Sequence, residues 1–279
     1  MRVDVGGRRM YFDVEGAGLV PDGPVMLERP TMVLLHGGPG MDHSGYKPAF
    51  GQLVDVAQLV YVDHSGQGRS DGVSVDRWTL DAWTDDVVGM CDALEIERPV
   101  IHGWSFGGMV AMNLASRYPD RLDKLILQST AARIDLDRVA AAFARLGGEK
   151  AAETARVFWE TPSPESMQQY MEICLPLYSP HPLDPDSMAR MVPTPGLLEG
   201  GWTEALTFDL TPNLGDIIAP TLVLSGDLDP ITPADAAVEI VEHLPGELVT
   251  HASFGDSGHF IADTEPDRFF AAIREFVAS

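Results

Sequence analysis

Short apolar runs bounded by turn residues recur along the chain, and the stretches between them carry apolar side chains at helical spacing. Thr31–His36, Leu59–Asp63, Pro99–Gly103, Lys124–Gln128 and Thr221–Ser225 are too short for buried helices and rich in Val, Ile and Leu, which predicts buried strands. Trp78–Leu94 sets Leu80, Trp83, Val87, Val88, Cys91 and Leu94 at helical intervals. Ser105–Ser116, Pro233–His243 and Asp267–Val277 predict further helices. Glu247–His251 reads as a late strand, and Arg2–Val5 with Arg9–Val14, parted by Gly6-Gly7, as an opening hairpin on the sheet edge. Such strand-helix alternation builds a mostly parallel sheet flanked by helices, an α/β fold.

From Ala131 to Asp216 the pattern changes to helical stretches broken by Pro176, Pro180, Pro182, Pro185, Pro193 and Pro195, with no convincing buried strand. The reading is a helical lid inserted over 131–216 into one core domain formed by 1–130 and 217–279. The strand-helix alternation resumes after it, so the insertion interrupts a domain and does not separate two.

Composition narrows the partners. With 45% hydrophobic and 22% charged residues, the 279-residue chain lies in the ordinary range of folded proteins and is long enough for a full core. Its formal net charge of −23 repels phosphate backbones and anionic lipid, so neither nucleic acid nor a membrane is an expected partner. A small molecule or short peptide is. Cys91 and Cys174 are the two cysteines, read as core residues and not a disulfide framework. The first residues lack an apolar signal core and no run approaches a bilayer span, so a cytoplasmic location is expected. The histidines have no paired spacing suited to zinc, and neither a metal nor a cofactor is implied.

Chemistry first appears at Gly103-Trp104-Ser105-Phe106-Gly107, which sets a serine between two glycines where a predicted strand passes into a predicted helix. A nucleophilic serine on such a strained turn needs glycine at 103 and 107, since a side chain there would crowd neighbouring backbone. The competing reading makes Ser105 only a helix N-cap. The strand Thr31–His36 runs into Gly37-Gly38-Pro39-Gly40, a loop able to bring a backbone N–H up to a carbonyl oxygen. The assignment is an oxyanion hole formed by the N–H groups of Gly38 and Phe106.

Together with Asp63-His64-Ser65-Gly66-Gln67-Gly68-Arg69-Ser70, these motifs make the chain resemble the proline iminopeptidase branch of the α/β hydrolases over nearly its whole length. It differs from that branch in Asp63-His64-Ser65-Gly66 where Asp-Gln-Arg-Gly is usual, and in Trp104 where glycine is usual. The resemblance implies an α/β-hydrolase fold and the chain order serine, acid, histidine. Gly226-Asp227-Leu228-Asp229-Pro230 follows the strand Thr221–Ser225, and the family's acid stands three residues after the glycine. That selects Asp229, with Asp227 as the alternative. Asp256-Ser257-Gly258-His259-Phe260 supplies the base, His259, before the closing helix. Ser105, Asp229 and His259 would then cleave an ester or amide through an acyl-enzyme.

The substrate is less specified. Proline iminopeptidases hold the substrate's amino terminus with lid glutamates, and the resemblance offers Glu199 or Glu204 for that role, with Trp104 as a further pocket residue. The best reading is a proline-iminopeptidase-like aminopeptidase or amidase. The alternatives are a carboxylesterase or lactonase on a small apolar acyl compound and, from another class, a non-catalytic receptor that keeps the fold.

Overall fold

The computed structural model describes residues 1–182, 184–194 and 207–279. The strands are β1 Arg2–Val5, β2 Arg8–Glu15, β3 Leu19–Asp22, β4 Val25–Glu28, β5 Thr31–Leu35, β6 Gln58–Val62, β7 Val100–Trp104, β8 Lys124–Gln128, β9 Thr221–Gly226 and β10 Val249–Phe254. Among the described residues eight of them form one sheet in the order β1-β2-β6-β5-β7-β8-β9-β10. From β6 to β10 every pairing is parallel, while β1 and β2 add an antiparallel edge. The fold is α/β, as the spacing of apolar runs predicts.

The central strands β5 to β9 are largely apolar because both of their faces are covered. Along β5, Val33 and Leu35 face one core with Ile101, Val110 and Leu127; Met32 and Leu34 face the other with Tyr46, Phe269 and Phe270. Helices α1 Leu80–Ala93 and α2 Phe106–Arg117 close the first face. α1 starts where the Thr79 hydroxyl accepts the Ala82 N–H at 3.1 Å. The closing helix α8 Pro266–Ala278, preceded by the short α7 Ile261–Thr264, covers the other face, and α6 Ala234–His243 packs beside β9.

Between β8 and β9 the described residues form α3 Leu136–Glu160, α4 Pro164–Ile173 and α5 Pro185–Arg190. Gly148, at φ 74°, kinks α3. The Ser163 hydroxyl accepts the Ser166 N–H and the Ser166 hydroxyl accepts that of Ser163, which closes the start of α4. Helices α3 and α4 share a small core of Val139, Phe143, Phe158, Trp159, Tyr170 and the adjoining Cys174, into which Ile231 inserts from the loop after β9. Cys91 and Cys174 are buried free thiols, and burial pushes both up to about 12. No described helix is long and apolar enough to cross a membrane.

Candidate active site

Ser105 occupies the turn between β7 and α2 with φ 54° and ψ −119°, a conformation that costs energy for a residue bearing a Cβ. Its side chain makes no capping hydrogen bond to the helix it precedes, so capping does not explain the serine. The turn is tight enough that a Cβ on Gly107 would lie 1.9 Å from the Leu35 carbonyl oxygen, and one on Gly103 2.4 Å from that of Gly107. The strained residue is held from both sides. Its N–H donates to the Gln128 carbonyl at 2.9 Å, and the Thr130 hydroxyl donates to its carbonyl at 2.7 Å.

Asp229, wholly buried on the loop after β9, accepts the Ile231 and Thr232 N–H groups on Oδ1 at 2.8 and 3.0 Å. Oδ2 accepts the Thr232 hydroxyl at 2.7 Å and faces His259 Nδ1 at 2.7 Å. A carboxylate so enclosed presents Oδ2 in one direction, so the imidazole carries its proton on Nδ1 and turns Nε2 away. Asp227, the alternative acid, is exposed and bonded to the Ser253 hydroxyl. The geometry therefore pairs His259 with Asp229. The His259 ring lies 6.0 Å from Trp104 and 5.5 Å from Tyr178, centroid to centroid. Among the described residues no hydrogen bond joins the Ser105 hydroxyl to His259.

The loop Gly37-Gly38-Pro39-Gly40 passes beside the turn at Ser105: a Cβ on Gly37 would lie 3.3 Å from that of Ser105. Gly38, at φ +124°, and Phe106, the first residue of α2, have N–H groups with no acceptor among the described residues. His36 Nδ1 bonds the Gly37 carbonyl at 2.7 Å while Nε2 accepts the His64 N–H at 3.2 Å, which fixes a neutral tautomer; burial holds its pKa below the usual value. The turn 63–70 is clamped through Asp63. Asp63 accepts the His43 N–H and Nδ1–H at 2.9 and 2.6 Å and the Arg69 N–H at 2.8 Å; burial pushes its carboxyl up, but the hydrogen bonds from His43 and the electrostatic attraction of His36 and His43 outweigh it and hold it down to about 2.

Trp104 packs among Tyr46, His259 and Phe260, and lines a crevice with Met41, Met188 and Met191 beneath α5. Glu199 and Glu204 lie outside the described residues. The reading of motifs missed Tyr178, whose carbonyl accepts the His259 N–H at 2.7 Å, and Gln67, whose Oε1 accepts the Gly40 N–H at 2.6 Å. Tyr178 belongs to no local pattern, and Gln67, although it stands within the Asp63–Ser70 motif, is marked there by nothing that points to Gly40; each contact is made between distant segments. Among the described residues no three His, Cys, Asp or Glu side chains converge as metal ligands do.

The alpha/beta hydrolase fold family matches the chain over residues 30–266. A carbamate hydrolase candidate, RutD of Caulobacter sp. (strain K31), is 28% identical over 272 residues, covering 96% of each chain. The 2-hydroxy-6-oxo-6-phenylhexa-2,4-dienoate hydrolase of Comamonas testosteroni is 30% identical over 265 residues, covering 87% of this chain and 85% of its own. The crystal structure of a proline iminopeptidase from Mycobacterium smegmatis superposes with a TM-score of 0.77 at 23% identity, covering 100% of this chain and 97% of that one, a likeness of fold.

Proposed function

This chain belongs to the alpha/beta hydrolase fold family, and from that premise we propose that it is a serine hydrolase of small carbonyl compounds, esters or lactones before amides. One observation carries the reading: the enclosed Asp229 carboxylate faces His259 Nδ1 at 2.7 Å, on the loops that follow the strained Ser105 in chain order. The two hydrolases above, one named for a carbamate and the other for an oxo-dienoate, support a small carbonyl substrate.

In this reading the Ser105 hydroxyl attacks the carbonyl carbon as His259 Nε2 takes its proton. Asp229 keeps Nδ1–H in place and stabilises the imidazolium. The N–H groups of Gly38 and Phe106 hold the oxyanion. Return of the proton to the leaving group yields an acyl-enzyme, and a water deprotonated by His259 then cleaves it. The segment 131–216 acts as a lid over this centre, and Trp104 walls the pocket.

The finer reading, a proline-iminopeptidase-like aminopeptidase, rests on the resemblance of the His36–Gly40 and Ser105 motifs, with Glu199 or Glu204 as the amine partners. A panel of short aryl esters, lactones, aryl carbamates and proline arylamides separates these readings. Ester, lactone or carbamate turnover that Ser105→Ala abolishes is the expected result. Turnover of the proline arylamide alone moves the assignment to the peptidase, and a folded protein inert to every member and to a serine-directed phosphonate is a receptor.

A further inference from the structure

We propose that Gln67 is a positioning residue that sets the oxyanion donor Gly38 by pinning Gly40, an inference that rests on the hydrolase reading above. The loop Gly37-Gly38-Pro39-Gly40 has no side chain able to anchor itself, and its glycines adopt φ +124° at Gly38 and φ +96° at Gly40. A chain so free in the unfolded state must be held from outside if its N–H is to be preorganised. Upstream, the His36 ring does this at Gly37. Downstream, the Asp42 carboxylate accepts the Ser44 N–H at 2.9 Å and the Arg69 guanidinium at 2.5 Å. Between those anchors, the side-chain tie among the described residues is Gln67 Oε1 to the Gly40 N–H, at 2.6 Å.

The tie reaches Gly38 directly. A Cβ on Gly38 would stand 2.8 Å from the Gly40 nitrogen, so the backbone turns tightly there and little slack separates the pinned N–H from the donor. Gln67 is itself enclosed and tied through its backbone: it is 1% exposed, its N–H donates to the His64 carbonyl at 3.0 Å, and its carbonyl accepts the Ser70 N–H at 3.1 Å. Its Nε2 is buried without a partner. Burying half an amide unsatisfied is costly, and an apolar side chain of similar volume would avoid that cost if Gln67 served packing alone. The bond to Gly40 is what an apolar residue cannot supply.

The test compares wild type, Gln67→Leu and Gln67→Glu in turnover of an aryl ester and in inhibition by an aryl trifluoromethyl ketone, which binds serine as a tetrahedral oxyanion. Removing an oxyanion donor outright costs about a hundredfold or more; displacing one is expected to cost about tenfold in kcat, with KM unchanged and ketone affinity falling in parallel. Gln67→Glu keeps an acceptor oxygen in either protonation state and restores both. Thermal melting identifies a Leu variant that does not fold, in which case Gln67→Met takes its place. A folded Leu or Met variant with wild-type kcat and ketone affinity overturns the proposal, as does an equal loss in the Glu variant. A wild type that neither turns over esters nor binds the ketone overturns the hydrolase reading itself, and this inference with it.

Discussion

The backbone carbonyl of Tyr178 accepts the N–H of His259 at 2.7 Å, tying the helical insertion to the loop that carries the imidazole. On the other side of the same centre, Ile231, two residues beyond Asp229, is buried in the core of the insertion. The segment carrying α3, α4 and Tyr178 is thus packed against both loops of the Asp229–His259 pair.

Gly258 passes so close to Tyr178 that an added Cβ would lie 2.2 Å from the carbonyl oxygen. Overpacking of this kind costs about 1–3 kcal/mol. Gly258→Ala is therefore expected to lower unfolding free energy by that amount and to depress kcat as the imidazole shifts. Chemical denaturation followed beside ester turnover checks it, and wild-type values of both would contradict the coupling.

Asp229→Asn keeps the shape of the acid but favours the wrong imidazole tautomer, and an activity loss of about 10⁴-fold is expected. Asp227→Asn should leave turnover within about threefold of wild type, because that carboxylate is exposed and engages Ser253, away from His259. Steady-state kinetics of the two variants decide the matter, and the reverse order of losses would assign the acid to Asp227.

His102 is fully buried, and burial pushes its imidazole down to about 3. In the unfolded chain the same group titrates near about 6.5, so between those values the unfolded state binds a proton that the native state does not. Its contribution to stability is full above the unfolded value and is lost as pH falls toward the folded one. His36 and His64 are lowered by burial in the same sense. Each adds a slope of up to about 1.4 kcal/mol per pH unit in that window. Denaturant unfolding between about pH 7 and about pH 5 should show stability falling with acidification, and His102→Gln should remove part of the slope. Equal stability at both ends would refute this.

Much of this architecture is legible in the sequence because strands buried on both faces leave continuous apolar runs. Thr31–Leu35 and Lys124–Gln128 fall within a residue of where the pattern sets them, and the late strand begins at Val249 where the pattern starts it at Glu247. The hairpin of β3 and β4 is not legible: Leu19, Val25, Met26 and Leu27 are more than half exposed, so no burial alternates along it, and Pro21 breaks the strand signal. Ser105 stands out because its strained turn demands glycine on both sides. By contrast, the contacts of Tyr178 with His259 and of Gln67 with Gly40 depend on loops meeting in space, which no spacing along the chain encodes. Glu199 and Glu204, offered by family resemblance alone, fall outside the described residues.

In the proposed mechanism His259, oriented by Asp229, makes the Ser105 oxygen nucleophilic. Labelling the folded protein with a fluorophosphonate and mapping the adduct by peptide mass spectrometry tests it most directly. The predicted result is a single adduct on Ser105, absent in Ser105→Ala and strongly slowed in His259→Ala. Labelling elsewhere, or none in a protein whose fold is intact, would contradict it.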